Sequence, residues 1–328
     1  MTRIAALKLI GFWVLSFCPA ALAAEIEGSR YECHMISRGD NQPDFEVDDD
    51  LLKSLIVSLH QKVSPSAFQK TYDCTEEKYT EMVGLLLERQ FVQRQGKIFC
   101  PTIMVISEAE GRELCQYAAP VSSDIAAALI ADLNSIKQQY TQAPLSNGLD
   151  FERASFFILS NVLLDNWQIR NVEAEFVKKD RPLRHGKRYY FSLGQNLNSA
   201  KESFGLYGNA GFKEFSVYGN NRKFSRRQIL ETRFNDMAAL CEKDYEVFST
   251  MASTFKPKLL AILEKHRSYG ETVYRKTGYA DEISYEEFFM WWYHFIYTKA
   301  TDILAAGNHL TIPADGNFFY RYVLSSQR

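Results

Sequence analysis

Polar and apolar residues recur at helical spacing through the first part of the chain. Three consecutive acids at 48–50 precede an apolar stretch at 51–62, and acids at a helix start complement the helix dipole. Ser64 followed by Pro65 indicates the start of a second helix, since serine caps a helix and proline fits its first turn. A third helix is indicated by four apolar residues on one face, namely Tyr79, Met82, Val83 and Leu86. The pattern predicts three short helices.

The pattern that follows predicts a hairpin and a long helix. Two apolar runs, 91–93 and 97–99, flank a glycine, which is typical of two strands joined by a turn. Ser107 and Glu110 have the spacing of a capping box, in which the two side chains satisfy the first free N–H groups of a helix. Apolar residues then continue at helical spacing as far as Tyr140.

In its element order and apolar spacing, the segment 51–106 resembles a winged helix-turn-helix domain, although no residue motif accompanies that order. The resemblance implies that 75–90 is the recognition helix and 91–106 the wing. The segment 75–90 carries four glutamates against one lysine and one arginine, a balance that disfavours contact with phosphates. We therefore expect such a domain to bind protein or to pack on the rest of the chain. A generic helical bundle with one hairpin fits the same pattern.

The second half of the chain mixes helical and strand patterns. An apolar stretch at 151–177 predicts a long helix. The segments 188–193 and 203–218 are rich in aromatic residues and are punctuated by glycines, as in a small antiparallel sheet. A further helix is predicted from 225 to 256, where Pro257 would interrupt it.

The end of the chain completes the predicted fold. The aromatic run 288–297 has large apolar side chains on all sides of a helix, which indicates burial in a core. A turn-rich stretch at 142–148 is the best candidate for a domain boundary. We therefore predict an α+β, mainly helical fold, with a winged-helix-like domain at 25–142 and a second helical domain with a small antiparallel sheet at 149–328.

The N-terminus has the pattern of a cleavable signal peptide at 1–24. Arg3 and Lys8 supply positive charge, 9–15 is apolar, and the small residues at 21–24 suit cleavage by signal peptidase. The apolar stretch is shorter than the roughly 20 residues that cross a bilayer. We therefore expect a secreted or periplasmic protein with no transmembrane segment in its mature chain.

Five cysteines follow the predicted cleavage site, and some of them should pair in an oxidising compartment. The predicted disulfides join Cys33 to Cys74 and Cys100 to Cys115, which leaves Cys241 in a helix. Spacing alone does not determine the connectivity. Alternatively, all five cysteines are buried as small apolar side chains.

The net charge of −2 conceals two oppositely charged segments. Nine acids oppose two arginines at 25–50, a balance of −7, and thirteen cations oppose four acids at 178–233, a balance of +9. Cations beside aromatic rings can hold anionic groups, so we predict a surface that binds protein or an anionic envelope component. The predicted surface comprises Arg184, Lys187, Arg188, Tyr190, Tyr207, Tyr218, Arg222 and Arg226. A solvated basic face over an aromatic core, or a dock for the acidic segment, explains the same pattern.

Candidate catalytic residues are few. The six histidines are scattered without the spacing of a metal site, and no nucleophile or phosphate-loop motif is present. His185 lies in a polar stretch and is the candidate general acid or base, with Asp165 or Glu173 to orient it. We predict a protein that works by binding, with no metal, no cofactor and no nucleic-acid partner. Two alternatives are a hydrolase-type enzyme that uses His185 and, if the N-terminus is retained, a cytoplasmic winged-helix DNA-binding regulator.

Overall fold

The computed structural model describes residues 30–37, 39–196, 206–220 and 226–323. The predicted signal peptide at 1–24 lies outside these residues. Helices dominate the described chain and several small sheets accompany them, which confirms the predicted α+β, mainly helical fold class.

The N-terminal part contains a strand, three helices, a hairpin and a further short strand. These are β1 (Arg30–Ile36), α1 (Asp50–His60), α2 (Pro65–Thr71), α3 (Glu76–Glu88), β2 (Val92–Gln95), β3 (Ile98–Pro101) and β4 (Met104–Ile106). Asp49, Ser64 and Thr75 each accept a hydrogen bond from a backbone N–H in the first turn of the helix that follows. The predicted element order is therefore confirmed, while the winged-helix resemblance beyond that order stays a prediction.

The long helix α4 (Glu108–Tyr140) starts at the predicted capping box. Its Ser107 backbone N–H donates to Glu110 at 2.8 Å, and Ser107 Oγ accepts the N–H of Glu110 at 3.3 Å. Within the described chain, α4 alone is long and apolar enough to cross a membrane, and 39% of its most apolar stretch is buried in the fold. A core helix of a soluble protein has the same properties, so this helix is weak evidence for a membrane span.

The rest of the chain alternates helices with short strands. Its α-helices are α5 (Phe151–Phe156), α6 (Ile169–Asn171), α7 (Arg226–Arg233), α8 (Glu242–Lys265), α9 (Arg267–Lys276) and α10 (Tyr285–Ala306). Its strands are β5 (Leu183–Arg184), β6 (Lys187–Arg188), β7 (Tyr190–Asn196), β8 (Gly208–Gly211), β9 (Ser216–Gly219), β10 (Ala238–Leu240) and β11 (Asn317–Tyr322).

Two of the predicted helices are divided in the structure. Helix α5 continues as a π-helix at Phe157–Val162, the chain then turns, and a second π-helix at Val172–Val177 follows α6. The wider π register places the Asp165 N–H 3.0 Å from the carbonyl of Ser160, five residues earlier. The helix predicted at 225–256 is instead α7, β10 and the start of α8, and Pro257 lies within α8.

Strand β7 joins the two halves of the chain. It pairs antiparallel with β1, where Cys33 faces Leu193, and parallel with β4. A second sheet has the order β10-β11-β9-β8, in which β10 runs parallel to β11 and the other neighbours are antiparallel. The two segments predicted to form one small antiparallel sheet are separated: 203–218 supplies β8 and β9 to this second sheet, whereas 190–193 belongs to β7 of the first sheet, because β7 pairs with β1 and β4.

Two main hydrophobic cores and a third, small cluster follow from this topology, and the small cluster contains Phe215, Val217, Ile229 and Met237. The smaller core contains the buried side chains of α1, α2 and α3 together with Tyr189, Phe191 and Leu193 from the second half. The larger core is built around α10, whose aromatic run is buried as predicted, and it also includes Leu114 and Ile125 of α4. The cores therefore do not divide at 142–148, because α4 belongs to one core and β7 contributes to the other.

Candidate functional site

The predicted basic and aromatic surface is not assembled in the structure. Tyr190 and Tyr218 are fully buried, and Tyr207 is 4% exposed. The hydroxyl of Tyr207 donates to Asp302 at 3.1 Å, and that of Tyr218 contacts Ser160. These three tyrosines therefore belong to the larger core, because their rings are more favourably placed among apolar side chains than in water.

Arg184 is the most deeply buried cation of the predicted surface. Its guanidinium lies 2.7 Å from the Glu287 carboxylate, and the two side chains are 3% and 2% exposed. It also donates to the carbonyl of Tyr189 at 2.9 Å and to that of Thr102. Burial raises the pKa of Glu287, and the Arg184 charge and hydrogen bonds oppose that rise. The pair connects α10 to the chain around β4 and β5, and it is not available to a partner.

The other predicted cations lie at the surface with local partners. Lys187 donates to the carbonyl of Asp40 at 3.2 Å, and Arg188 donates to the carbonyl of Arg181 at 2.8 Å. Arg226 pairs with Glu214, and Arg222 lies outside the described residues. The prediction of one basic and aromatic surface is corrected, because the rings point inward and these cations are bonded to the chain itself.

His185 is 42% exposed and is oriented by a carboxylate that the sequence did not indicate. Its Nδ1 lies 2.8 Å from Asp44, and Arg89 Nη1 lies 2.8 Å from the same carboxylate oxygen. The two acids proposed to orient it lie elsewhere, since Asp165 accepts from Asn209 and Glu173 pairs with Arg181.

The chemistry available at His185 is limited by what surrounds it. The side chains that bond to it are Asp44 and Arg89, and its backbone N–H donates to Gln90 at 2.7 Å. In the part of the chain that the structure describes, no serine, threonine or cysteine hydrogen-bonds its imidazole. The arrangement therefore orients the imidazole of His185, and the hydrogen bonds of the described chain join no side-chain nucleophile to it.

Neither predicted disulfide is present in the structure. The five cysteines of the described chain are free thiols, namely Cys33, Cys74, Cys100, Cys115 and Cys241. The thiol of Cys33 points to Asp48 at 3.7 Å, whereas that of Cys74 points to the carbonyl of Thr75 at 3.5 Å. Burial raises the pKa of Cys33 to about 12, which suppresses the thiolate needed for oxidation. The two predicted pairings are thus corrected, because the partners have separate local environments.

His60 connects the two cores through two carboxylates. Its Nε2 lies 2.8 Å from Glu110 at the start of α4, and its Nδ1 lies 2.8 Å from Glu282 in the turn before α10. The imidazole is 12% exposed and stacks on Tyr279 at a centroid distance of 6.0 Å. Burial alone would lower the pKa of His60, but the hydrogen bonds and charges of the two carboxylates raise it to about 10. His60 is therefore a cation in a structural contact.

A cavity of about 270 Å³ lies beside the cluster formed by His60, Glu110 and Glu282. Lys62 and Cys100 are among its lining residues. The sequence did not indicate the cluster, since its members are separated by 50 and 222 residues. Among the described residues, no group of three or more histidines, cysteines or acids could hold a metal ion.

A larger cleft, of about 670 Å³, lies between the edge of the second sheet and the turn after α4. Its lining residues come from the segments 144–149, 233–239 and 311–319 and from the start of α5. Hydrogen bonds hold the walls in place, since the Leu145 N–H donates to Asp244 at 2.7 Å and the Thr311 N–H donates to Ser155 at 2.9 Å. Apolar side chains form much of the surface, namely Leu145, Leu149, Met237, Phe318 and Phe319.

The charged residues of the cleft differ in whether they form an ion pair within the described chain. Arg233 pairs with Asp315, and its guanidinium lies over the ring of Phe319 at 5.0 Å. Arg153 and Asp236 are exposed and also line the cleft. Neither of these two side chains forms an ion pair within the described chain. The cleft therefore presents an available cation and an available anion beside an apolar surface, and no sequence motif marks either residue.

Comparison with protein-family models, with curated proteins and with solved structures found no match for this chain.

Proposed function

We propose that this chain is an exported binding protein whose ligand site is the cleft. The ligand is largely apolar and carries an acidic group. The observation that carries the proposal is the cleft of about 670 Å³ with apolar walls and the available guanidinium of Arg153. Ligand sites of roughly 300–1,000 Å³ combine mostly apolar linings with a few polar groups that orient the ligand, and the cleft has both features.

The lining supports binding in preference to catalysis. No histidine, cysteine, serine or lysine is among the described residues that line the cleft. Arginine suits the recognition of carboxylates and sulfonates, because its planar fork of N–H donors matches two acceptor oxygens. The ring of Phe319, already in contact with Arg233, offers a flat apolar surface next to that charge.

The proposal of export rests on the N-terminal sequence, where a short positive stretch, an apolar stretch and small residues follow one another. N-terminal sequencing of the protein recovered from cell fractions tests it. A chain that begins near Glu25 in an envelope or medium fraction supports export, whereas an intact Met1 in the cytosol contradicts it.

Titration with anilinonaphthalene sulfonate tests the ligand site, because this fluorescent probe combines apolar rings with a sulfonate. We expect one site per chain. Replacing Arg153 with glutamine should weaken binding about tenfold or more, since a hydrogen bond to a charged group contributes about 1.5–3 kcal/mol. The matched control is Arg170→Gln, which removes an exposed arginine that does not line the cleft. Equal affinity of the Arg153 variant and the unmodified protein would refute the site.

A further inference from the structure

Strand β10 and the residue before it form part of the cleft wall. Met237, Ala238 and Ala239 line it consecutively, and β10 is the edge strand of its sheet. In that sheet β10 has β11 as its neighbour, and the two strands pair in parallel. An edge strand presents backbone donors and acceptors that a further strand can use.

The register shows which residue of β10 has its backbone directed to the open edge. The N–H of Val323 donates to the carbonyl of Leu240 at 2.8 Å, so the polar groups of Leu240 are directed at β11. Successive residues of a strand direct their N–H and C=O groups to opposite sides. The N–H and C=O of Ala239 therefore point away from β11.

The cleft lining includes small residues at and near Ala239. Ala239 is exposed, and Ala238 beside it is equally small. Gly148, which also lines the cleft, has no heavy atom within 4 Å of the position where a Cβ would lie. Exposure of Ala239 and the small neighbouring side chain give a further strand access to this residue.

We infer that the ligand is an extended peptide that pairs with the edge of β10 and carries both an acidic and a basic side chain. The inference rests on the proposed function, since it names the class of ligand for the same cleft. Pairing supplies main-chain hydrogen bonds to Ala239, and side-chain contacts supply selectivity. Arg153 receives the acidic group and Asp236 the basic group, because these are the two charged residues of the cleft that form no ion pair in the described chain.

The probe is an acetylated and amidated peptide in which two valines separate a glutamate from a lysine, used together with the peptide of reversed order. Binding is measured directly by calorimetry and by displacement of anilinonaphthalene sulfonate. A twin peptide with a methylated valine nitrogen has the same charges but lacks one backbone donor. We expect one of the two orders to bind and to displace the dye, and its methylated twin to bind at least tenfold more weakly.

Two variants distinguish the contribution of backbone pairing to peptide affinity from the contribution of the Asp236 charge. Ala239→Pro removes an N–H that faces the open edge, a position where proline is tolerated in strands, so the variant should lose the peptide and keep the dye. Asp236→Asn should weaken the peptide severalfold and should not weaken the anionic dye, since the change removes a negative charge from the cleft.

Three outcomes overturn the inference: neither peptide binds, the methylated twin binds equally well, or Ala239→Pro binds the peptide as the unmodified protein does. If the dye binds and neither peptide does, only the peptide inference is refuted and the proposed ligand site is retained. If neither the dye nor a peptide binds the unmodified protein, the proposed function is refuted as well.

Discussion

His60 is predicted to contribute stability that depends on pH in a defined direction. The substitution His60→Gln removes the cation that lies between Glu110 and Glu282 and leaves the two carboxylates at the contact between the cores. Glutamine keeps a hydrogen-bond donor of similar reach, so the change tests the charge more than the shape. Removing one partner of a buried ion pair costs about 3–5 kcal/mol, because the other charge stays desolvated.

The size and the pH range of the effect follow from the pKa of the imidazole. The pKa of His60 is raised from 6.5 to about 10 in the folded protein. A raised pKa means that the folded state holds the proton more tightly, so the added stability is fully present below pH 6.5. It is lost as pH rises to about 10, at up to about 1.4 kcal/mol per pH unit.

The acidic side of the profile is set by the carboxylates. Burial opposes ionisation of Glu110, but the hydrogen bonds from His60 and Ser107 and the His60 charge together outweigh burial and lower the pKa of Glu110 below 4.5. Its contribution is therefore present above pH 4.5 and is lost as the pH falls through the lowered value. The difference between the unmodified protein and His60→Gln should be largest near pH 6 and small near pH 10.

Urea unfolding followed by circular dichroism at about pH 6, 8 and 10 measures this profile. His309→Gln is the matched control, because no carboxylate contacts His309 in the described chain, and it should change stability little at any of these pH values. A loss in His60→Gln that is below 1 kcal/mol near pH 6, or that is as large at pH 10 as at pH 6, would contradict the reasoning.

Three further outcomes are expected. Glu287→Gln should cost about 3–5 kcal/mol in urea unfolding, because it leaves the buried Arg184 without its counter-charge, and the exposed control Glu231→Gln less than about 1 kcal/mol. Gly219→Ala should cost about 1–3 kcal/mol, since its Cβ would lie 2.3 Å from the Gly316 carbonyl oxygen, whereas Gly84→Ala meets no atom within 4 Å and should not destabilise the fold. Thiol labelling of the unfolded, unreduced protein should modify each of the five cysteines of the described residues, and an unlabelled one would show a disulfide that the structure lacks.

Elements with local signals were predicted well from the sequence. The caps at Ser64 and Ser107 start helices as expected, because each cap bonds to a backbone N–H within three residues, and the acids at 48–50 lie at the start of α1 as expected. The burial of α10 also followed from composition, since a helix that is aromatic on all sides has no favourable solvent face.

Features that depend on contacts between distant segments were not predictable in this way. Strand β10 has three residues, and it exists because β11, about 80 residues later, pairs with it. The pattern of 178–233 suggested an exposed aromatic surface, but a strand pattern does not state which face is covered. Tyr190 and Tyr218 are buried in the larger core, where Phe156 of α5 lies against Tyr218.

The sequence by itself determined the starts of α1, α2 and α4, the buried aromatic helix and the mainly helical class, because these depend on bonds and periodicities within one segment. The tertiary structure alone decided the chemistry of the molecule. It brought Glu110 and Glu282 to His60, Asp44 to His185, and Arg153 and Asp236 to one cleft. Charged side chains carry no local record of their partners, since an ion pair forms only where packing of the apolar surfaces places both groups together.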